Sequence, residues 1–158
     1  LMLIQLLTVG KQKEPHLTSA QDVYVKRLSP FCQLQFTQLP AVRLSDKPSE
    51  KEITKALAQE ADSIRRASKG LMIALCIEGK QLSSENFSEL LTRQIPMRDS
   101  AVTFIIGSSF GLDDSIKQQA YLKLSMSEMT FPHALASVML LEQIYRAYQI
   151  DKGTGYHK

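Results

Sequence analysis

Apolar positions along this chain fall into two patterns that take turns. Residues Met2–Val9 read MLIQLLTV, a strand that Gly10 ends. The polar stretch KQKEPH then reads as a loop leaving the strand's C-terminal end. Over 17–28, Leu17, Ala20, Val23, Tyr24 and Leu28 lie close to helical spacing, and Ser29-Pro30 stops that helix. Over 33–39, Leu34, Phe36 and Leu39 alternate with glutamines and a threonine, which fits a strand with one less buried face, near a sheet edge. Residues 41–49 are polar and read as a mobile loop. Ser49 with Glu52 three residues on forms a capping box, which opens a helix over Glu50–Ala67. Its apolar stripe is Ile53, Ala56, Leu57, Ala61 and Ile64, and Glu60 falls inside the stripe as a polar exception.

The second half repeats the alternation. LMIALCI over 71–77 is the continuous apolar run of a central parallel strand, closed by a Glu78-Gly79-Lys80 turn. A helix over 84–94 follows, with Phe87, Leu90 and Leu91 inward; then comes a strand over 102–106 and a short helix over 113–122. Pro132 suits the first position of a last helix, which runs to Ile150. That helix is apolar on more than one face, so both sides need cover, and the second side predicts a subunit interface. Strands alternating with helices predict an α/β fold, a mostly parallel sheet flanked by helices, in one domain over 1–158.

Composition changes little in this picture. With 44% hydrophobic and 22% charged residues among 158, the chain is an ordinary globular one, and a net charge of +3 permits an RNA partner without arguing for one. Arg65, Arg66 and Lys69 sit at a predicted helix C-terminus, where cations suit the dipole. Cys32 and Cys76 lie far apart without CxxC spacing and read as buried free thiols of a reducing, cytoplasmic setting. The apolar start LMLIQLLTVG is too short to span a membrane. His16, His133 and His157 are scattered and predict no metal site. Asp113-Asp114 reads as helix N-terminal charge.

Candidate chemistry gathers after the strand over 102–106. Its GSSFG turn, 107–111, fits neither a phosphate loop nor a dinucleotide fingerprint, and glycine there suits a tight turn by its positive φ. The ends of strands in an open α/β sheet nevertheless form the usual ligand site, and the GTGYHK tail with Tyr156 and His157 is placed to close over it.

Several blocks carry a specific likeness: IEGK at 77–80, FIIGSSFGL, SMSEMTFPH at 125–133, LLEQIYRAYQI at 140–150 and the YHK end. Together with VGKQKE and YVKRLSPF, they make the chain resemble, over nearly its whole length, the RlmH (YbeA-like) branch of the SPOUT methyltransferases. The resemblance implies a SPOUT-type α/β knot, with the C-terminal segment threaded as a trefoil, in a homodimer. It implies S-adenosylmethionine-dependent methylation of N3 of a pseudouridine in 23S rRNA on the assembled ribosome. Cofactor loops then fall on Leu75, on Gly107, and on Met126, Ser127, Glu128, Met129, Thr130 and Phe131. Tyr156, His157 and Arg146 become the candidate catalytic residues, with the tail of one subunit serving the cofactor loops of the other. Two positions depart from the family: Ser108 stands where a second Gly is usual, and Ser137 where an Arg is usual, which removes a cation near the site. A divergent, non-catalytic RNA- or ribosome-binding dimer is the alternative.

Overall fold

A computed structural model describes residues 1–11 and 14–158. Residues 12 and 13, within the predicted KQKEPH loop, lie outside the described residues. The chain runs β1 (Met2–Val9), α1 (Pro15–Leu28), β2 (Cys32–Leu39), α2 (Glu50–Ala67), β3 (Leu71–Gln81), α3 (Ser84–Glu89), β4 (Ala101–Ile106), α4 (Asp114–Gln119), β5 (Leu122–Ser125) and α5 (His133–Lys152). All five strands are parallel, in the order β2-β1-β4-β3-β5. The α/β expectation holds, and β2 takes the edge its alternation suggested.

Continuous apolar runs place β1, β4 and the first part of β3 in the middle, where both sheet faces are covered. One face carries Ile4, Leu6, Ile73, Val102 and Phe104 against Leu28, Phe87, Leu140 and Ile144 of the α1, α3 and α5 layer and Leu91 of the turn that follows α3. The other carries Leu7, Val9, Ala74 and Ile105 against Ala61 and Ile64 of α2 and Ile116 of α4. Gln5, 1% exposed on β1, knits strands to the corner after α2. Its Nε2 donates to Thr37 Oγ1 at 2.8 Å and Ala67 O at 3.1 Å, and its Oε1 accepts from Thr103 Oγ1 at 2.7 Å and Lys69 N at 3.1 Å.

The capping box stands as predicted: Ser49 Oγ accepts from Glu52 N at 3.1 Å, and Glu52 Oε1 accepts from Ser49 N at 3.2 Å. Asp113 caps α4 by accepting from Ser115 N at 3.0 Å. Arg65 is spent on Asp62, Ser115 and Gln119, and Lys69 Nζ on Gln35, so the basic cluster is held by its own surroundings.

Several expectations need correcting. The predicted turn at Glu78-Gly79-Lys80 lies inside β3, which continues to Gln81 with a break in register against β5. The predicted helix over 113–122 stops at Gln119, and Leu122 begins β5, a four-residue strand the pattern did not signal. The helix before β4 finishes in a π-helical turn, Leu90–Gln94. Pro132 is the N-cap of α5 rather than its first residue. Cys32 is buried, but Cys76 is only half-buried. Leu141 and Ile144 face the chain's own core at 0% exposure, so α5's second, partly open side consists of residues such as Leu135, Val138 and Met139.

Candidate active site

The middle of β3 and the loops after β4 and β5 converge on a cleft of about 280 Å³. Leu75, Cys76, Ile77 and Glu78 form one wall, Gly107, Ser108 and Ser109 the base of a second, and Met126, Ser127, Met129, Thr130 and Phe131 a third. Of the predicted cofactor residues, Leu75, Gly107, Met126, Ser127, Met129, Thr130 and Phe131 line this cleft; Glu128 does not.

Gly107 and Gly111 serve the turn in different ways. A Cβ on Gly107 would lie 2.4 Å from the Gly111 carbonyl oxygen and 2.9 Å from Leu112 Cδ2, so what that position needs is room. Positive φ, 89°, belongs to Gly111. Ser108 does not have positive φ, which is why a serine is accommodated there without backbone strain. Its carbonyl accepts from Gly111 N at 2.8 Å, and its hydroxyl donates to Glu60 Oε1 at 3.1 Å.

The rim carries one charge of each sign. Lys117 of α4 donates to Glu78 of β3, which holds the Glu78 carboxyl below its usual pKa and the Lys117 ammonium above its own. His133, at the start of α5, also lines the cleft, and burial holds its imidazole below the ordinary histidine value. Glu78, Lys117 and His133 were not singled out from the sequence, although IEGK and the FPH block contain two of them.

Tyr156, His157 and Arg146 come together, but away from that cleft. The tail turns back on α5 of its own chain. Tyr156 Oη donates to Glu142 Oε1 at 2.9 Å, and its ring lies edge-on to Tyr145 at 5.0 Å. Arg146 Nη2 donates to Glu142 Oε1 at 2.8 Å, with the guanidinium 4.8 Å from the Tyr156 ring centre. Burial first, then the bond to Glu142, pushes the Tyr156 phenol above its ordinary pKa. Arg146 Nη1 lies 3.0 Å from His157 Nδ1. A guanidinium can only donate, so Nδ1 is the acceptor and the ring proton sits on Nε2, against Glu85. The imidazole's lone pair is therefore occupied.

A second hollow, about 310 Å³, lies between Ser83, Phe87, Leu124, Met139 and Glu142 and shares Met126 with the first. The tail cluster adjoins this second hollow through Glu142. Within one chain the tail does not line the strand-end cleft.

Ser137 is 2% exposed, its hydroxyl donating to His133 O at 3.1 Å. The position is inside the chain, so a cation there would have to extend outward from a buried start. Among the described residues no group of three His, Cys, Asp or Glu side chains could hold a metal, and no helix is long and apolar enough to cross a membrane.

A family model described as "Predicted SPOUT methyltransferase" matches residues 2–157. The "Ribosomal RNA large subunit methyltransferase H" of Streptococcus equi subsp. zooepidemicus is 45% identical over 99% of this chain and 100% of its own length. The protein of the same name from Leuconostoc mesenteroides is 44% identical with the same coverage. Among solved structures, a methylase-family protein of Neisseria gonorrhoeae superposes with a TM-score of 0.52 at 13% identity, covering 98% of this chain and 86% of that one, a likeness of fold. From end to end the chain belongs to the SPOUT methyltransferases, in the family of ribosomal RNA large subunit methyltransferase H.

Proposed function

We propose that this protein methylates N3 of a pseudouridine in 23S rRNA on the assembled ribosome, as a homodimer with S-adenosylmethionine in the strand-end cleft. The observation that carries the reading is the end-to-end identity with enzymes named for large-subunit rRNA methylation. The donor set suits the cofactor. Leu75, Ile106, Leu112 and Phe131 offer apolar surface to an adenine, and Glu78 with Lys117 offers opposite charges to an amino-acid zwitterion. A neutral His133 does not repel a sulfonium. When bound, the cofactor supplies an electrophilic methyl group, and the protein's gain comes chiefly from alignment.

The target N3–H must lose its proton around attack, so a base is needed nearby. Tyr156, its phenol held protonated, serves as a donor to a uracil carbonyl. His157 takes the N3 proton once Arg146 leaves Nδ1, and the freed guanidinium holds a phosphate or the base. What supports a site shared between subunits is the absence of all three residues from the lining of their own chain's cleft. The partly open face of α5, at Leu135, Val138 and Met139, is where the subunits meet. The C-terminal knot belongs to the same reading.

Methyl transfer to ribosomes lacking the modification tests the activity. Binding of S-adenosylmethionine by calorimetry separates it from a non-catalytic RNA-binding dimer. The shared site is tested by mixing a truncation after Gly155, inactive alone, with a Gly107→Ala variant at a cofactor concentration too low for that variant to turn over. Restored activity in mixed dimers is expected; none would mean each subunit works alone.

A further inference from the structure

We propose that Glu60 is a positioning residue of the cofactor turn, acting through Ser108; this rests on the reading that the 107–111 turn holds S-adenosylmethionine. Glu60 is 6% exposed, although it lies on the apolar stripe of α2. A carboxylate so placed has given up its water and must recover hydrogen bonds from the protein. It does so from two loops at once. Oε2 accepts from the backbone N–H of Val42 at 2.9 Å, and Oε1 accepts from the Ser108 hydroxyl at 3.1 Å.

Ser108 itself is 7% exposed and lies in the cleft wall between Gly107 and Ser109. Among the described residues its main chain is tied within the turn by a local bridge to Gly111. The bond to Glu60 is thus what joins the turn to a long, packed helix. The same carboxylate also fixes the 41–49 segment at Val42, so both loops take their position from one side chain. A turn held before the ligand arrives does not have to be ordered at the ligand's expense, and affinity rises accordingly. Where the family usually has a glycine, this chain has a hydroxyl that reaches the buried acid. Here the departure at Ser108 is an added tether.

Calorimetry with S-adenosylmethionine on the full chain decides it. Ser108→Ala removes only the hydroxyl, and Glu60→Leu removes both carboxylate oxygens while leaving the apolar stripe filled; Gln would not serve, because its amide can donate to the Ser108 hydroxyl in turn. Each is expected to weaken binding roughly tenfold, the scale of one hydrogen bond to a charged group. The double variant should bind no more weakly than Glu60→Leu alone, because both changes break one link. Ser108→Thr, which keeps the hydroxyl, should bind like the unaltered protein. If Glu60→Leu does not fold, the Ala and Thr variants at 108 carry the test by themselves. Unchanged affinity in Ser108→Ala, with or without a lower melting temperature, would overturn the proposal, as would losses that multiply in the double variant. No binding by the unaltered protein would refute the cofactor reading beneath it.

Discussion

Replacing Gly107 by Ala adds one carbon atom at the point where β4 leaves the sheet and the cleft begins. That carbon would sit 2.4 Å from the Gly111 oxygen, 2.7 Å from its carbonyl carbon and 2.9 Å from Leu112 Cδ2. Two of these neighbours are backbone of the same turn, which cannot swing aside as a side-chain tip can. Relief requires the turn to open by roughly 0.6 Å or more, an overpacking strain of about 1–3 kcal/mol. At about 3 °C per kcal/mol for a domain of this size, the melting temperature should fall by roughly 3–9 °C. The same movement displaces Ser108 and Ser109 in the cleft wall, so affinity for S-adenosylmethionine should fall in step. A bulkier Gly107→Val would therefore not be a clean binding-site variant, because the first contact it breaks is the turn's own. Thermal unfolding, followed by calorimetric titration at a temperature where the variant is folded, measures both effects. A variant that melts with the unaltered protein would refute the packing reasoning, and one that melts early but binds normally would place the cofactor elsewhere.

Gln5→Leu should destabilise by about 2–4 kcal/mol, because part-buried groups at Thr37 and Ala67 and the buried Thr103 hydroxyl lose a partner together; chemical denaturation with an unchanged midpoint would contradict this. Ser137→Arg should destabilise by about 1–3 kcal/mol, since the longer side chain must repack around a position 2% exposed; an equally stable variant with steeper salt dependence of ribosome binding would restore the cation's role. For His133, the folded imidazole protonates less readily than the unfolded one, whose pKa is near 6.5. Its contribution to stability is full above that value and is lost as pH falls below it, and His133→Asn should flatten that limb of a stability profile. Cys32 behaves in the opposite sense at the alkaline end. Burial pushes its thiol from 9.0 to about 11, so its contribution to stability declines as pH rises through that interval, and Cys32→Ala should remove the decline.

The sheet was legible because its central strands announce themselves. Runs such as MLIQLLTV and VTFII are buried on both faces and need no partner to be recognised. β5 escaped because four residues, with Lys123 exposed at the edge, make no periodic signal. β3 was cut short because Glu78 and Gly79 are strand-averse, whereas pairing of Lys80 and Gln81 with β5 overrides that local preference. At the site, the strand-end loops could be placed from family likeness and strand order. Glu60 showed itself only as a break in a stripe, and what it binds is 48 residues away along the chain. The folding of the tail onto Glu142 and Arg146 is likewise a long-range choice that spacing alone does not encode.

The break in the β3–β5 ladder has a consequence for how this cleft ages in evolution. Leu124 pairs with Leu75 and then again with Lys80, so the main chain of 76–79 is passed over, and β4 leaves β3 already at Ala74. Peptide groups that other strands spend on each other are here kept out of both ladders beside the cleft. Every amino acid presents the same N–H and C=O, proline's missing hydrogen aside. Whatever those groups read is insulated from most point mutations. Gly79 is the position in this stretch where side-chain identity is constrained outright, since a Cβ there would lie 2.8 Å from the Lys123 carbonyl.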